Sequence, residues 1–339
     1  MKKHLIPKGG TFYRANLHSH TNISDGCLSP EEMKKIYKDK GYSILAYTDH
    51  DYFIPHNDLT DKDFLALSGF ELQYNENSTY PLKRDLKSSH FCFIAKSPDM
   101  TIHPDFNEKA ACISLTGITK DDINYDKSVE QKERTHTSLC INESVKKARD
   151  AGFFVTYNHP DWSLDNFNDY MEFEGMHAME IFNYGCDVIG YNAYVPGIYD
   201  DILRSGKKIF AIASDDNHNG GDNPADDSFG GFTMIKAKSL DYEEVTDALF
   251  KGNFYASQGP EIYELFIEDG FVNVKCSDVK RITLTTNHRS ARILDARGTE
   301  FLNSAKFPVD EDDVYIRITI RDSEGKCANT NAYFLEDIL

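Results

Sequence analysis

Two histidines one residue apart, His18 and His20, lie in the run Asn16-Leu-His18-Ser-His20-Thr-Asn-Ile-Ser-Asp25-Gly26. On an extended strand, residues i and i+2 point to the same side, so the two imidazoles converge on one point. Neutral imidazoles there suit zinc, iron, manganese or nickel. The pair has company in Thr48-Asp49-His50-Asp51, Gly69-Phe70-Glu71, His90, Asn158-His159-Pro160 and Ser214-Asp215-Asp216-Asn217-His218. Six of the 12 histidines fall in this pattern, which scattered core or surface histidines have no reason to follow. Such a set suits hydrolysis assisted by divalent ions. Hydrolysis needs a nucleophile at neutral pH and a place for developing negative charge, and two ions about 3.5–4 Å apart supply both, by deprotonating a bridging water and neutralising the oxygens on which charge develops.

The elements that must position these residues alternate in type. Apolar runs predict strands at Phe12–Leu17, Ile44–Thr48, Phe64–Ser68, His90–Ala95, Phe153–Asn158, Ala178–Phe182 and Ile209–Ala213. Each motif sits at or near a strand end, mostly the C-terminal one, the edge where α/β architectures assemble their sites. Amphipathic helices lie between several strands. The clearest starts at Ser29, with Pro30 first in the helix and Glu32 completing a capping box, and runs to Gly41. Others start near Asn142 and Ser239. This alternation implies an α/β fold with a mostly parallel sheet, open or closed into a barrel.

From about Gly259 only alternating strands follow: Ile262–Glu268, Phe271–Cys276, Arg281–Thr286, Ala291–Leu294 and Val314–Arg321. They predict a small all-β C-terminal domain over 259–339, after a first domain over 1–258. The polar stretch of about 96–140 is too long for an ordinary connection and reads as an insertion, either a lid over a site or a surface elaboration.

The 339 residues carry a formal net charge of −18 and no dense Lys/Arg run, which leans against a nucleic-acid polymer as partner. Cys27, Cys92, Cys112, Cys140, Cys186, Cys276 and Cys327 are scattered and never form a C-x-x-C pair. They read as reduced thiols, mostly core filler, and a cytoplasmic setting is expected. Met1 to Gly10 does not read as a signal peptide, and no stretch is apolar enough for a membrane span.

These motifs resemble the PHP superfamily, the polymerase and histidinol phosphatase metallo-phosphoesterases. H-x-H at 18–20, S-D-G at 24–26, T-D-H-D at 48–51, Glu71, His90, H-P at 159–160 and D-x-H at 216–218 occur in the family's order. The resemblance implies a distorted seven-stranded (β/α) barrel holding two or three divalent ions, zinc, manganese or iron. It implies that His18, His20, Glu71 and Asp216 hold a first metal. Glu71 would bridge to a second on His90 and His159, and Asp25, His50 and His218 would hold a third. Asp215 competes with Asp216 for its place, with the shared face of a D-x-H strand favouring Asp216. Glu71, Asp216 and His218 are the residues expected to carry catalysis. Gly252-Asn-Phe-Tyr255-Ala-Ser257-Gln-Gly259-Pro260-Glu261 resembles the junction to a β-sandwich in some family members.

The expected activity is hydrolysis of a small phosphomonoester, such as a nucleotide or sugar phosphate, by a metal-bridging hydroxide. A nuclease or phosphodiesterase for short oligonucleotides and a non-catalytic binding protein are the alternatives. Glu180 is either an orienting residue or a surface carboxylate, and Asn183 contacts substrate or a ligand. Asp161 and Trp162 follow the H-P motif, Trp162 as core or as a stacking platform. Arg134 and His136 read as part of a solvated loop, with reach to a phosphate as the alternative. His4, His56, His103, His177 and His288 read as structural or exposed.

Overall fold

The computed structural model describes residues 2–76, 87–109, 111, 114–129, 131, 133–220 and 226–338. In chain order the elements are β1 (Lys3–His4), β2 (Thr11–Asn16), α1 (Pro30–Asp39), β3 (Ile44–Tyr47), β4 (Leu65–Asn75), β5 (Ser88–Ala95), α2 (Ser138–Asp150), β6 (Phe153–Asn158), α3 (Phe167–Glu172), β7 (Ala178–Asn183), α4 (Tyr184–Val188), α5 (Pro196–Arg204), β8 (Phe210–Ser214), β9 (Phe232–Ala237), α6 (Tyr242–Phe250) and β10 (Phe254–Ser257). Then come β11 (Ile262–Glu268), β12 (Phe271–Val279), β13 (Arg281–Thr286), β14 (Arg292–Asp295), β15 (Leu302–Pro308), β16 (Tyr315–Arg321), β17 (Cys327–Thr330), β18 (Tyr333–Phe334) and α7 (Leu335–Ile338).

This is a mixed α/β fold around one large sheet. Strands β2, β3 and β4 run parallel, as do β6, β7 and β8, while β5 runs antiparallel to β4 and β6. Every residue of β3, β6 and β7 is buried, as expected of strands covered on both faces. The chain just beyond β2 meets the chain just beyond β8. Ser19 and Asn217 form a parallel bridge, the His20 amide donates to the Asn217 carbonyl at 3.1 Å, and the Asp216 amide donates to the His18 carbonyl at 3.0 Å.

The capping box of α1 is present: the Ser29 hydroxyl accepts from the Glu32 amide at 3.3 Å, and Glu32 accepts from the Ser29 amide at 2.8 Å. Helix α2 begins at Ser138, ahead of the expected Asn142, because the Thr137 hydroxyl accepts from the Cys140 amide and caps it there. Strands β9 and β10 were not expected. β10 pairs with β9 on one side and β17 on the other, so the sheet continues through β17, β16, β13 and β14. A second sheet holds β1, β11, β12 and β15. One apolar cluster joins Met33 and Tyr37 of α1 to Leu265, Ile282 and Ile318, which ties the C-terminal strands to the first half. The C-terminal strands end in one helical turn, α7, which was not foreseen.

Within 96–140, part of which lies outside the described residues, Phe106 and Ile123 pack against Ile23 and Tyr52. The insertion is thereby anchored beside the loops that follow β2 and β3. Among the described residues, no helix is long and apolar enough to cross a membrane.

Candidate metal centre

Antiparallel β5 explains how a histidine at a strand's start joins others at strand ends. His90 lies opposite Gln73 of β4 and Asn158 of β6, so the start of β5 shares an edge with the ends of its neighbours. Glu71 was expected to close its strand, but β4 runs four residues further, to Asn75, paired only with β5. Its ladder with β3 stops at Ser68 and resumes at Glu71, which bridges to His50 beyond the end of β3: the Asp51 amide donates to the Glu71 carbonyl at 2.8 Å and the Glu71 amide to the Asp49 carbonyl at 3.2 Å. His18 and His20 lie just past the end of β2, held extended by the Ser19–Asn217 bridge.

All nine residues expected to bind metal come together around Glu71. Its Oε1 lies 3.2 Å from His18 Nε2, 3.3 Å from His90 Nδ1 and 3.6 Å from His159 Nε2. Its Oε2 lies 3.4 Å from His20 Nε2 and 3.2 Å from His50 Nδ1. Asp216 Oδ1 sits 3.0 Å from His18 Nε2 and 3.1 Å from His20 Nε2, while its Oδ2 is 3.6 Å from His159 Nε2. Asp25 approaches His20, His50 and His218 at 3.6, 3.7 and 3.6 Å. The groups His18/His20/Asp216, His50/Glu71/His90 and His20/Asp25/His50/His218 each offer atoms within 4.8 Å of one another.

The donor set suits divalent ions. His18 Nε2 and His20 Nε2 are 3.1 Å apart, a spacing of two ring nitrogens that needs a proton or a cation between them. His20 Nδ1, His50 Nδ1 and Glu71 Oε2 are buried without a hydrogen-bond partner among the described residues, as atoms directed at an ion would be. Burial raises the Glu71 carboxyl, but the imidazoles of His18, His90 and His50 outweigh it and hold it well below the carboxylate range. Burial pushes His50 down to about 3, so its ring is neutral at physiological pH.

Backbone conformation separates Asp215 from Asp216. Strand β8 ends at Ser214, and Asp216 has a left-handed φ of 53°, so the two aspartates point apart for a reason other than strand alternation. Asp216 turns into the cluster. Asp215 turns away and accepts from the amides of Phe229, Gly230 and Gly231 at 2.9, 2.9 and 2.8 Å and from the Tyr37 hydroxyl at 2.8 Å. Burial raises Asp215 to about 7 against the pull of those donors. Asp51 and His159 also have positive φ, 61° and 28°, so left-handed residues recur where the chain leaves a strand beside the site.

Glu180 and Asn183, which the sequence offers as residues that could orient a ligand, support the cluster, and so do Asn158 and Asp49, for which sequence alone shows no role. Glu180 is buried, not a surface carboxylate: it accepts from His18 Nδ1 at 2.8 Å, the His159 amide at 2.9 Å, Asn183 at 2.8 Å and the Ser214 hydroxyl. Asn183 also donates to Asp216 Oδ2 at 3.1 Å. Asn158 donates to Glu71 Oε1 at 2.8 Å, and Asp49 accepts from the Thr21 amide at 2.7 Å and the Ser24 hydroxyl at 2.8 Å, shaping the loop that carries Asp25. Gly26 belongs to that loop for steric reasons, since a Cβ there would lie 2.5 Å from the His20 carbonyl oxygen. Cys92, read as core filler, lies beside His18 and Glu71, and burial raises its thiol to about 11, so it is uncharged. Its place two residues after His90 on one strand was the available signal.

Arg134 and His136 are not in a solvated loop. Arg134 is buried and pairs with Asp51 at 2.5 Å, and His136 pairs with Asp165 at 2.9 Å. Trp162 packs edge-on to His90 and His159, with ring centroids 5.1 and 4.9 Å apart, and lines a cavity of about 490 Å³ over the cluster. His103 is buried, and His177 accepts from the Val155 amide at 2.9 Å.

No protein-family model matches the sequence, and no curated protein matches it. Its structural neighbours include a two-domain protein from Bacteroides vulgatus containing a predicted PHP-like metal-dependent phosphoesterase, at 14% identity and a TM-score of 0.46, over 98% of this chain and 97% of that one. A proposed metal-dependent phosphoesterase from Bifidobacterium adolescentis is 15% identical, with a TM-score of 0.38, over 64% of this chain and 91% of that one. An amidohydrolase from Chromobacterium violaceum, solved with bound sulfate and no metal, is 16% identical, with a TM-score of 0.39, over 60% and 87%.

Proposed function

We propose that the chain is a metal-dependent phosphoesterase that hydrolyses small phosphomonoesters. The observation that carries this is the position of Glu71, whose two oxygens face different imidazoles, His18, His90 and His159 on one side and His20 and His50 on the other. In this reading His18, His20, Glu71 and Asp216 hold one ion, Glu71, His90 and His159 a second, and Asp25, His50 and His218 a third. Zinc, manganese or iron bound there would lower the pKa of water and neutralise phosphoryl oxygens. The chain's own part is to fix the ligands. Glu180 orients His18, Asn158 and Asn183 hold the carboxylates of Glu71 and Asp216, and Asp49 sets the Asp25 loop. The same reading takes β2–β8 as a distorted closed barrel whose ends meet at Ser19 and Asn217, within a part spanning 1–258, with 259–339 as a β-sandwich-like part.

The test is chelation followed by metal reconstitution and assay. The chelated protein stays folded and inactive, and manganese, iron or zinc restores hydrolysis of a mononucleotide or sugar phosphate. Full activity in metal-free protein sinks the reading. The net charge of −18 supports a small substrate over a polymer, so KM changes less than about tenfold between about 50 and 200 mM salt. A steep salt slope with preference for an oligonucleotide would promote the nuclease alternative.

A further inference from the structure

The two imidazoles assigned to the second ion, His90 and His159, each have a serine hydroxyl behind them. His90 turns Nδ1 to Glu71 Oε1 at 3.3 Å, and its other nitrogen, Nε2, lies 3.0 Å from the Ser88 hydroxyl. His159 turns Nε2 to Glu71 Oε1 and Asp216 Oδ2, both at 3.6 Å, and its Nδ1 lies 3.3 Å from the Ser163 hydroxyl. The Ser88 amide donates to the Ser163 carbonyl at 3.1 Å, so the backbone joins the two serines. His18, assigned to the first ion, has the Glu180 carboxylate in the corresponding place, 2.8 Å from its Nδ1.

Strand register sets Ser88. It lies opposite Asn75, the last residue of β4, as His90 lies opposite Gln73 and Cys92 opposite Glu71. Residues directly opposite share a face of the pair, so alternation puts Ser88 on the face that carries His90 and Glu71. The Ser88 hydroxyl donates to Asn75 Oδ1 at 2.6 Å. A serine hydroxyl has one proton to give. With that proton on Asn75, Ser88 meets His90 as an acceptor. The His90 proton then sits on Nε2, and the Nδ1 lone pair is left for an ion.

We propose that Ser88, set by Asn75, and Ser163 are positioning residues for the second ion, and that this ion is the more readily exchanged of the two that Glu71 bridges. This rests on the metal-centre reading above. A carboxylate behind a metal-binding imidazole fixes its tautomer and raises its basicity. A hydroxyl fixes the tautomer but brings no charge, and a neutral hydrogen bond is about half as strong as a charged one. In the same assignment the first ion has two carboxylates, Glu71 and Asp216, and the second has Glu71 alone. Both differences weaken the second ion relative to the first.

The experiment is stepwise zinc loading of the chelated full chain against a competing chelator, with imidazole nitrogen NMR of the metal-free protein above the titration range of imidazole. Ser88→Ala weakens one loading step by about tenfold, the lower end for losing a partner behind a metal-binding imidazole. The lower end applies because Ser88 is half-buried and water can take over part of its role. That step is weaker in the parent than the one that Glu180→Gln weakens. Ser88→Thr keeps the hydroxyl and loads like the parent, and the NMR spectrum places the His90 proton on Nε2. A Ser88→Ala variant that loads like the parent overturns the proposal, as does one that weakens the step Glu180→Gln weakens, or a His90 proton on Nδ1. A parent that binds no zinc sinks the metal-centre reading and this proposal with it. A parent that loads normally beside an unaffected Ser88→Ala sinks the proposal alone.

Discussion

The Nδ1 of His18 lies 2.8 Å from Oε1 of Glu180, and both side chains are buried. That contact leaves Nε2 of His18 directed at Glu71 and Asp216. A carboxylate behind a metal-binding imidazole fixes its tautomer and makes it a better ligand. Glu180→Gln therefore lowers metal content and activity by about 10–100-fold. Glu71→Gln costs far more, because its two oxygens face both halves of the cluster. Elemental analysis and steady-state assay of both variants check the order, and equal losses would mean that the centre of the site lies elsewhere.

Asp215 and Asp216 are adjacent but serve different ends. Asp216→Asn empties the cluster while the unfolding midpoint changes little. Asp215→Asn sets an amide against the Phe229 amide and Tyr37 hydroxyl donors and costs about 2–3 kcal/mol of stability, with metal content largely kept. Denaturant unfolding alongside elemental analysis separates the two. Metal loss from the Asp215 variant at unchanged stability would reverse the assignment.

Arg134 ties the insertion to Asp51, next to His50. Arg134→Met leaves the buried Asp51 carboxylate without its guanidinium and costs about 3–5 kcal/mol. Replacing Asp51 by Asn in the same chain recovers part of that loss. A single variant as stable as the parent would show that the pair contributes nothing to the fold.

His177 makes a prediction about pH. Burial lowers its folded-state pKa to about 4, with Arg149 adding to the effect, against 6.5 for a free imidazole. Between these values the unfolded chain binds a proton that the folded chain refuses. Stability is therefore present above about 6.5 and is lost as pH falls towards 4, by about 2–3 kcal/mol. His177→Asn can still accept from the Val155 amide but does not titrate. The variant is less stable near neutrality, where the ring contacts with Phe154 and Phe250 are missing, and its deficit shrinks as pH falls from 6.5 to 4. A constant gap across that range would show that His177 is protonated in the fold.

The ligand types were legible in the amino-acid sequence because each interrupts or closes an apolar run. A histidine or carboxylate there must either be satisfied by the fold or do chemistry. Strand periodicity and the capping box of α1 were readable for the same reason, since they depend on residues close in the chain. What only the tertiary structure decided depends on contacts far apart in sequence or on backbone torsions that composition does not encode. The antiparallel run of β5 brings His90 to the same edge as the strand ends, and the extension of β4 puts Glu71 inside its strand. A left-handed φ at Asp216 turns one aspartate inward and leaves the other to the amides of Phe229, Gly230 and Gly231. In sequence Glu180 reads either as an orienting residue or as a surface carboxylate, and the choice falls only when β7 lies between β6 and β8, where the neighbouring strands cover it and His18 meets its oxygen. Arg134 looks solvated because its partner Asp51 lies 83 residues away, a separation that no local pattern records.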